Sequence, residues 1–215
     1  MSFSVGIVAE GVTDQLVIQN ILLGHFRDRL GEQGIFFDQP PDLSAHGGWE
    51  ILRDYLRHGR HRDAFQFRDY LVIQIDSDVS HQKHFDVPHT DPKTGKQLAP
   101  AELVTRIHQR LGEWIGPDDL RRYAGRFFFA VCVHELECWL VPLWEDPRHH
   151  TATTNCTRRV QQGQHRAKEK RPINKLEARS YDEASRDFRK PKLLKQAAQA
   201  QTSLGLFLEQ LATAP

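Results

Sequence analysis

Acidic side chains follow three apolar stretches of this 215-residue chain, at 3–9, 69–78 and 126–133. The acids at the ends of these stretches are Glu10, Asp14, Asp76, Asp78, Glu135 and Glu137. The carboxyl ends of parallel strands share one edge of a sheet, so neighbouring strands would bring these acids together. Their mutual repulsion would be costly without a cation, and hard oxygen ligands suit Mg²⁺ or Mn²⁺. The pattern predicts a divalent metal site.

Each acid taken alone has an ordinary explanation. An Asp-x-Asp pair after a strand is often a turn or a helix cap, and Asp14 could simply favour a helix N-terminus. The metal hypothesis therefore depends on three distant segments converging, which is a property of the fold.

Apolar runs and helical periods alternate along the first two thirds of the chain. The predicted strands are 3–9, 34–38, 69–78 and 126–133, and the predicted helices are 14–29, 49–59, 99–116 and 134–144, with a loop at 38–48. The central strands are apolar throughout, which is typical of a parallel sheet covered on both faces by helices. We expect an α/β fold with a mostly parallel sheet.

The chain changes character after about residue 145. Up to Lys190 it is polar and basic, as in "TRRVQQGQHRAKEKRPINK", which indicates an inserted loop or arm. Residues 190–212 are helical in pattern, as one terminal helix or two short ones. We expect a metal-binding domain at 1–145 and, at 146–215, a basic arm and a C-terminal helical extension packed on the same domain.

Composition limits the class of protein. Hydrophobic residues make up 39% and charged residues 27%, with a net charge of +1, as in a globular domain. Three cysteines lack metal-binding spacing, which predicts reduced thiols. The N-terminus does not resemble a signal peptide, and no apolar stretch approaches the roughly 18 residues of a membrane helix. These features predict a cytoplasmic protein without a membrane partner.

The quoted motifs carry a resemblance to a known family. "AEGVTD" before a helix, followed by "VIQIDSD", resembles the Toprim domain of primases, topoisomerases and OLD-type nucleases. "HELECWL" after a third strand is similar to small OLD-type Toprim-like proteins associated with phage defence. The resemblance covers about 3–145 and implies a Toprim-like, Rossmann-like fold.

The resemblance also implies site residues. Its metal ligands fall on Glu10, Asp14, Asp76, Asp78 and Glu137, with Glu135 as the weaker match for the last. Catalytic roles fall on Glu10, Asp76 and Asp78, together with a lysine for developing charge. Candidates for that lysine are Lys190, Lys192, Lys195 and Lys175, among which we take Lys192.

The chemistry implied is Mg²⁺- or Mn²⁺-dependent cleavage of a phosphodiester, with two ions flanking the scissile bond. We therefore expect a nuclease acting on DNA or RNA, an effector of an anti-phage defence system that works with an ABC- or OLD-type ATPase partner. Association of the chain into oligomers is left open.

Basic residues in the arm are candidates for binding nucleic acid. They are Arg158, Arg159, Arg166, Lys168, Lys170 and Arg171. Positive charge around an acidic metal site would attract phosphates. A solvated loop is the alternative interpretation, and the absence of interleaved aromatic residues gives no support for sequence-specific recognition.

Two other functions remain open. The chain could be a non-catalytic Toprim-like binding subunit of a complex. Less favoured is a haloacid-dehalogenase-like phosphatase with Asp76 as nucleophile, because that motif normally lies on the first strand.

Overall fold

The structure, a computed structural model, describes residues 3–38 and 48–214. The strands in this part of the chain are β1 (Val5–Val8), β2 (Ile35–Phe37), β3 (Tyr70–Asp76) and β4 (Phe127–Cys132). They pair in the order β2-β1-β3-β4, and every pairing is parallel. The parallel sheet is confirmed, and the architecture is consistent with a Rossmann-like α/β fold.

Helices connect and flank the strands. The α-helices described are α1 (Val12–Phe26), α2 (Trp49–Arg57), α3 (His61–Ala64), α4 (Pro100–Ile115), α5 (Pro117–Arg122), α6 (Glu137–Trp144), α7 (Cys156–Arg166), α8 (Ala178–Ser185), α9 (Pro191–Ala200) and α10 (Thr202–Leu211). Most of the predicted loop at 38–48 lies outside the described residues. None of the helices in residues 3–38 and 48–214 is long and apolar enough to span a membrane.

Two hydrophobic cores lie on opposite faces of the sheet. Side chains alternate along β3, so Leu71 and Ile73 pack with α2 and α4 while Val72 packs with α1 and α6. Each fully buried aliphatic side chain contributes about 1.5–3 kcal/mol of transfer free energy. The prediction of helices on both faces is confirmed.

Residues 145–190 were predicted as an inserted loop or arm, and that prediction is wrong. This segment forms α7 and α8, which pack against α6 and α1 and bury Val160, Tyr181 and Phe188. A Cβ on Gly163 would lie 2.0 Å from the carbonyl oxygen of Trp144, so α7 needs a glycine where it crosses the end of α6. These helices use narrow apolar faces, and the apolar residues are too sparse for the sequence pattern to reveal them.

The C-terminal segment forms two short helices, α9 and α10, separated by Gln201 in an extended conformation. Helix α10 covers β4, an edge strand of the sheet. The Gln210 side chain accepts a hydrogen bond from the Phe129 backbone N–H (2.9 Å) and donates one to its carbonyl (3.1 Å). This side chain satisfies backbone groups that an edge strand would otherwise leave unpaired.

The prediction of three reduced thiols is wrong for two of the cysteines. Cys138 and Cys156 form a disulfide, with their Cα atoms 4.8 Å apart, which ties the start of α6 to the start of α7. Cys132 is free and buried in β4. The pairing depends on how α6 and α7 pack, which the spacing of the cysteines does not reveal.

Candidate metal centre

A cleft of about 590 Å³ opens at the carboxyl edge of the sheet, where β1 and β3 end. The acids among its lining residues are Glu10, Asp14, Asp76 and Asp78. The segment before α8 adds Lys175 and Leu176 to the lining. β1 and β3 are neighbours in the sheet, and their acids meet as the strand-end pattern predicts.

Glu10 and Asp76 are linked by a short hydrogen-bond network. The Asp76 backbone N–H donates to Glu10 Oε1 at 2.8 Å. Between them, the buried Gln74 side chain accepts from the Glu10 N–H (3.1 Å) and donates to Asp76 Oδ1 (2.9 Å). Both carboxylates are therefore held in fixed orientations at the ends of adjacent strands.

Asp14 reaches the cleft from the first turn of α1. Gly11 precedes that helix as its N-cap residue. A Cβ at Gly11 would lie 3.0 Å from Asp14 Oδ2, so the glycine leaves room for the carboxylate. Asp14 thus completes a group of acids drawn from one helix and two strands.

Asp78 lies in the loop after β3, which is hydrogen-bonded to the loop after β4. The His134 carbonyl accepts from the backbone N–H groups of Ser77 (3.1 Å) and Asp78 (3.0 Å). The His134 N–H donates to Ser77 Oγ at 2.7 Å, and His134 has a left-handed backbone with φ of 63°. Such a conformation is costly for a residue other than glycine, and here it aligns the two strand ends.

Glu135 and Glu137 have different surroundings. Glu135 accepts hydrogen bonds from Thr157, at 3.0 Å from both its N–H and its Oγ1. Glu137 is buried, accepts from the Tyr181 hydroxyl at 2.5 Å, and lies 3.7 Å from the Lys175 ammonium. Glu137 is not among the described residues that line the cleft, but its contact with Lys175, which does line it, favours Glu137 over Glu135 as the acid that follows β4.

The structure does not bring Lys192 to the cleft. Lys192 lies exposed in the first turn of α9, whereas Lys175 is the only cation among the described lining residues. The sequence left four lysines as candidates. Lys175 is distinguished from the other three because its segment, residues 172–177, lies at the cleft.

The predicted nucleic-acid-binding residues divide into two groups. Arg166 pairs with Glu145 at 2.9 Å, and Arg171 pairs with Glu183 at 3.2 Å. The remaining four make no ion pair within the described part of the chain, and they are Arg158, Arg159, Lys168 and Lys170. These four retain free charge on and after α7.

Burial and mutual repulsion change the acid–base properties of the cluster. Burial, with a smaller contribution from Asp78, raises the pKa of Glu10 to about 7. Burial and the neighbouring Glu10 raise the pKa of Asp14 to about 8, and burial and Asp14 raise that of Asp76 well above its ordinary value. Partial burial opposes the charge on Lys175, but Glu137 and the other acids still raise its pKa. Without a further cation, this cluster retains protons near neutral pH.

We expect the metal-free protein to lose stability as pH rises from about 5 to 8. Glu10, Asp14 and Asp76 bind protons more tightly in the folded chain, so unfolding releases protons between their ordinary pKa of about 4 and their raised values. The free energy of unfolding therefore falls with pH in that window, and Mg²⁺ should stabilise the fold more at pH 8 than at pH 6.

Urea unfolding in EDTA and in Mg²⁺ measures this effect. Histidines with a lowered pKa, such as His61, make the free energy of unfolding rise with pH and so oppose this effect. The control is therefore Asp76→Asn, which lacks one of the buried acids and should lose less stability as the pH rises. Identical pH slopes in wild type and variant would contradict the expectation.

The acids at this edge of the sheet offer carboxylate oxygens, which are the ligands that Mg²⁺ and Mn²⁺ prefer. If fully ionised, the four acids of the cleft lining and Glu137 would outnumber the single ammonium of Lys175. In the described part of the chain, the one group of three or more potential ligand side chains whose ligand atoms lie within 4.8 Å of one another is a different one, formed by Glu135, Cys138 and Cys156. Its sulfur atoms are paired in the disulfide, so it does not indicate Mg²⁺ or Mn²⁺.

In comparisons with known proteins, no family model, no curated protein and no solved structure matches the chain. The functional assignment therefore depends on the residues and their geometry. Sequence reasoning missed Tyr181, Gln74 and His134, which position the acids. Gln74 lies within the quoted "VIQIDSD" and His134 begins "HELECWL", whereas no sequence signal lay near Tyr181.

Proposed function

We propose that this chain is a Toprim-like phosphodiesterase that cleaves DNA or RNA with Mg²⁺ or Mn²⁺. One observation carries the proposal: four carboxylates from β1, α1 and β3 and one ammonium from the segment before α8 line a single cleft. Carboxylates that retain protons near neutral pH would exchange them for divalent cations.

The residues that would hold the ions are Glu10, Asp14, Asp76, Asp78 and Glu137. When bound, divalent cations at such a centre polarise a phosphoryl oxygen and lower the pKa of a water molecule. The chain itself holds the ligands in place: the Asp76 N–H orients Glu10, and the Tyr181 hydroxyl orients Glu137.

Lys175 supplies the positive charge that the proposed reaction needs from the protein. Its ammonium lies at the cleft, so it is suited to bind a phosphate and stabilise the negative charge that develops during cleavage. We therefore assign to Lys175 the role first assigned to Lys192.

Arg158, Arg159, Lys168 and Lys170 would attract the nucleic-acid backbone without reading its sequence. Arg166 and Arg171 are partly neutralised by Glu145 and Glu183, so their contribution should be smaller. An ATPase partner and a role in phage defence follow from the family resemblance and remain part of the proposal. A cytoplasmic location is proposed through that role only, because the Cys138–Cys156 disulfide removes the reduced thiols as support for it.

A cleavage assay tests the proposal. Plasmid, single-stranded DNA and tRNA are incubated with Mg²⁺, Mn²⁺ or EDTA and with wild type, Asp76→Ala or Asp118→Ala. Cleavage by wild type should require the metal and fall at least 10³-fold in Asp76→Ala. Asp118→Ala should match wild type, since this carboxylate is 90% exposed on α5.

Other outcomes would identify the alternatives. Metal binding by calorimetry without cleavage of any substrate would indicate a non-catalytic binding subunit. A covalent aspartyl-phosphate at Asp76 would indicate the phosphatase, although burial and neighbouring acids raise the pKa of Asp76 and so disfavour it as an ionised nucleophile.

A further inference from the structure

Two exposed apolar side chains lie on the acidic cleft. Leu176 is 95% exposed, and Val12, at the start of α1, is 45% exposed. Both belong to the lining of the same cleft. Single exposed apolar residues are ordinary on protein surfaces, but these two come from distant segments and line the same cleft as the acids.

The turn that carries Leu176 is rigidly built. The Leu176 N–H donates to Asn174 Oδ1 at 3.0 Å, and the Glu177 N–H donates to the Asn174 carbonyl at 2.8 Å. The Asn174 N–H in turn donates to the buried Ser180 Oγ at 2.9 Å. These bonds hold the backbone of the turn, so binding at Leu176 would require ordering of its side chain but little ordering of the backbone.

Leu176 directly follows the lysine of the cleft. Both side chains line the same cleft, so the nucleotide whose phosphate binds the Lys175 ammonium can reach Leu176. The bases of a continuous duplex are stacked and do not present their faces. An apolar side chain at this position gains contact area only with a base that is unpaired or unstacked.

We propose that Leu176 and Val12 form an apolar contact for a nucleobase next to the scissile phosphate, so that the substrate is single-stranded or locally unpaired nucleic acid. The proposal rests on the proposed function and specifies its substrate class. Charge complementarity supports it, since the apolar pair shares its cleft with Lys175, the only cation among the described lining residues.

The test compares cleavage of one labelled oligonucleotide as a single strand and as a perfect duplex in Mg²⁺. Wild type should have a kcat/KM at least tenfold higher on the single strand. Leu176→Ala should lower that value about tenfold on the single strand and less than twofold on the duplex. Val12→Ser should change it in the same direction, and Leu176→Met should remain close to wild type.

Phe67→Ala is the matched control, because Phe67 is 72% exposed and does not line the cleft. A 2-aminopurine base beside the cleavage position should show a fluorescence change on binding to wild type that Leu176→Ala loses. Equal cleavage of both substrates by wild type, or an unchanged preference in Leu176→Ala, overturns this inference and leaves the nuclease assignment intact. If wild type cleaves neither substrate, the proposed function fails and the inference fails with it.

Discussion

Replacing Lys175 by alanine is expected to lower kcat for metal-dependent cleavage by about 10²–10³-fold, with a smaller change in KM. A preorganised positive group that meets developing charge typically contributes this much in a site shielded from water, and since the Lys175 side chain is 67% exposed we expect the lower end of the range. Lys175 lies 3.7 Å from Glu137 and lines the cleft, so its loss removes charge at the reacting phosphate.

Steady-state kinetics on a fluorescent oligonucleotide measure the effect, with Lys192→Ala as the matched control. Lys192 is exposed on α9, so its variant should remain within twofold of wild type. Lys175→Arg keeps the charge and should recover part of the rate. Equal losses in the Lys175 and Lys192 alanine variants would show that the effect is general attraction of nucleic acid.

Breaking the disulfide between Cys138 and Cys156 is expected to lower the free energy of unfolding by about 3 kcal/mol. The bond closes a loop with a sequence separation of 18, and the reduced chain gains conformational entropy when unfolded. It also joins α6, which carries Glu137, to α7, where Thr157 binds Glu135.

Urea unfolding with and without a reducing agent gives this difference. The double variant Cys138→Ala/Cys156→Ala should resemble the reduced protein and should not respond to reductant. If reduction leaves the urea midpoint of wild type unchanged, the disulfide contributes nothing to stability.

The sheet and half of the centre could be predicted from local signals. β1 and β3 are continuous apolar runs that end on acids, and the rule for parallel strand ends places Glu10 and Asp76 at the same edge of the sheet. That the two acids lie side by side depends on the strand order β2-β1-β3-β4, in which β1 and β3 are neighbours and which was not predicted from the sequence.

The other half depends on contacts between residues far apart in the chain. Tyr181 binds Glu137 across 44 residues, from a segment whose few apolar side chains gave no helical signal. Lys175 could not be distinguished from the other lysines, because its position depends on how α7 and α8 pack. The cysteine pairing was missed for the same reason.

The late position of Lys175 and Tyr181 in the chain has a consequence for its synthesis. The ends of β1 and β3 leave the ribosome well before these two residues, and Leu204 and Phe207 of α10 join the core on the α1 face of the sheet later still. A nascent chain therefore carries acids without the lysine or the tyrosine that complete the centre. If the protein cleaves nucleic acid, we expect cleavage only by chains whose synthesis has passed Lys175 and Tyr181.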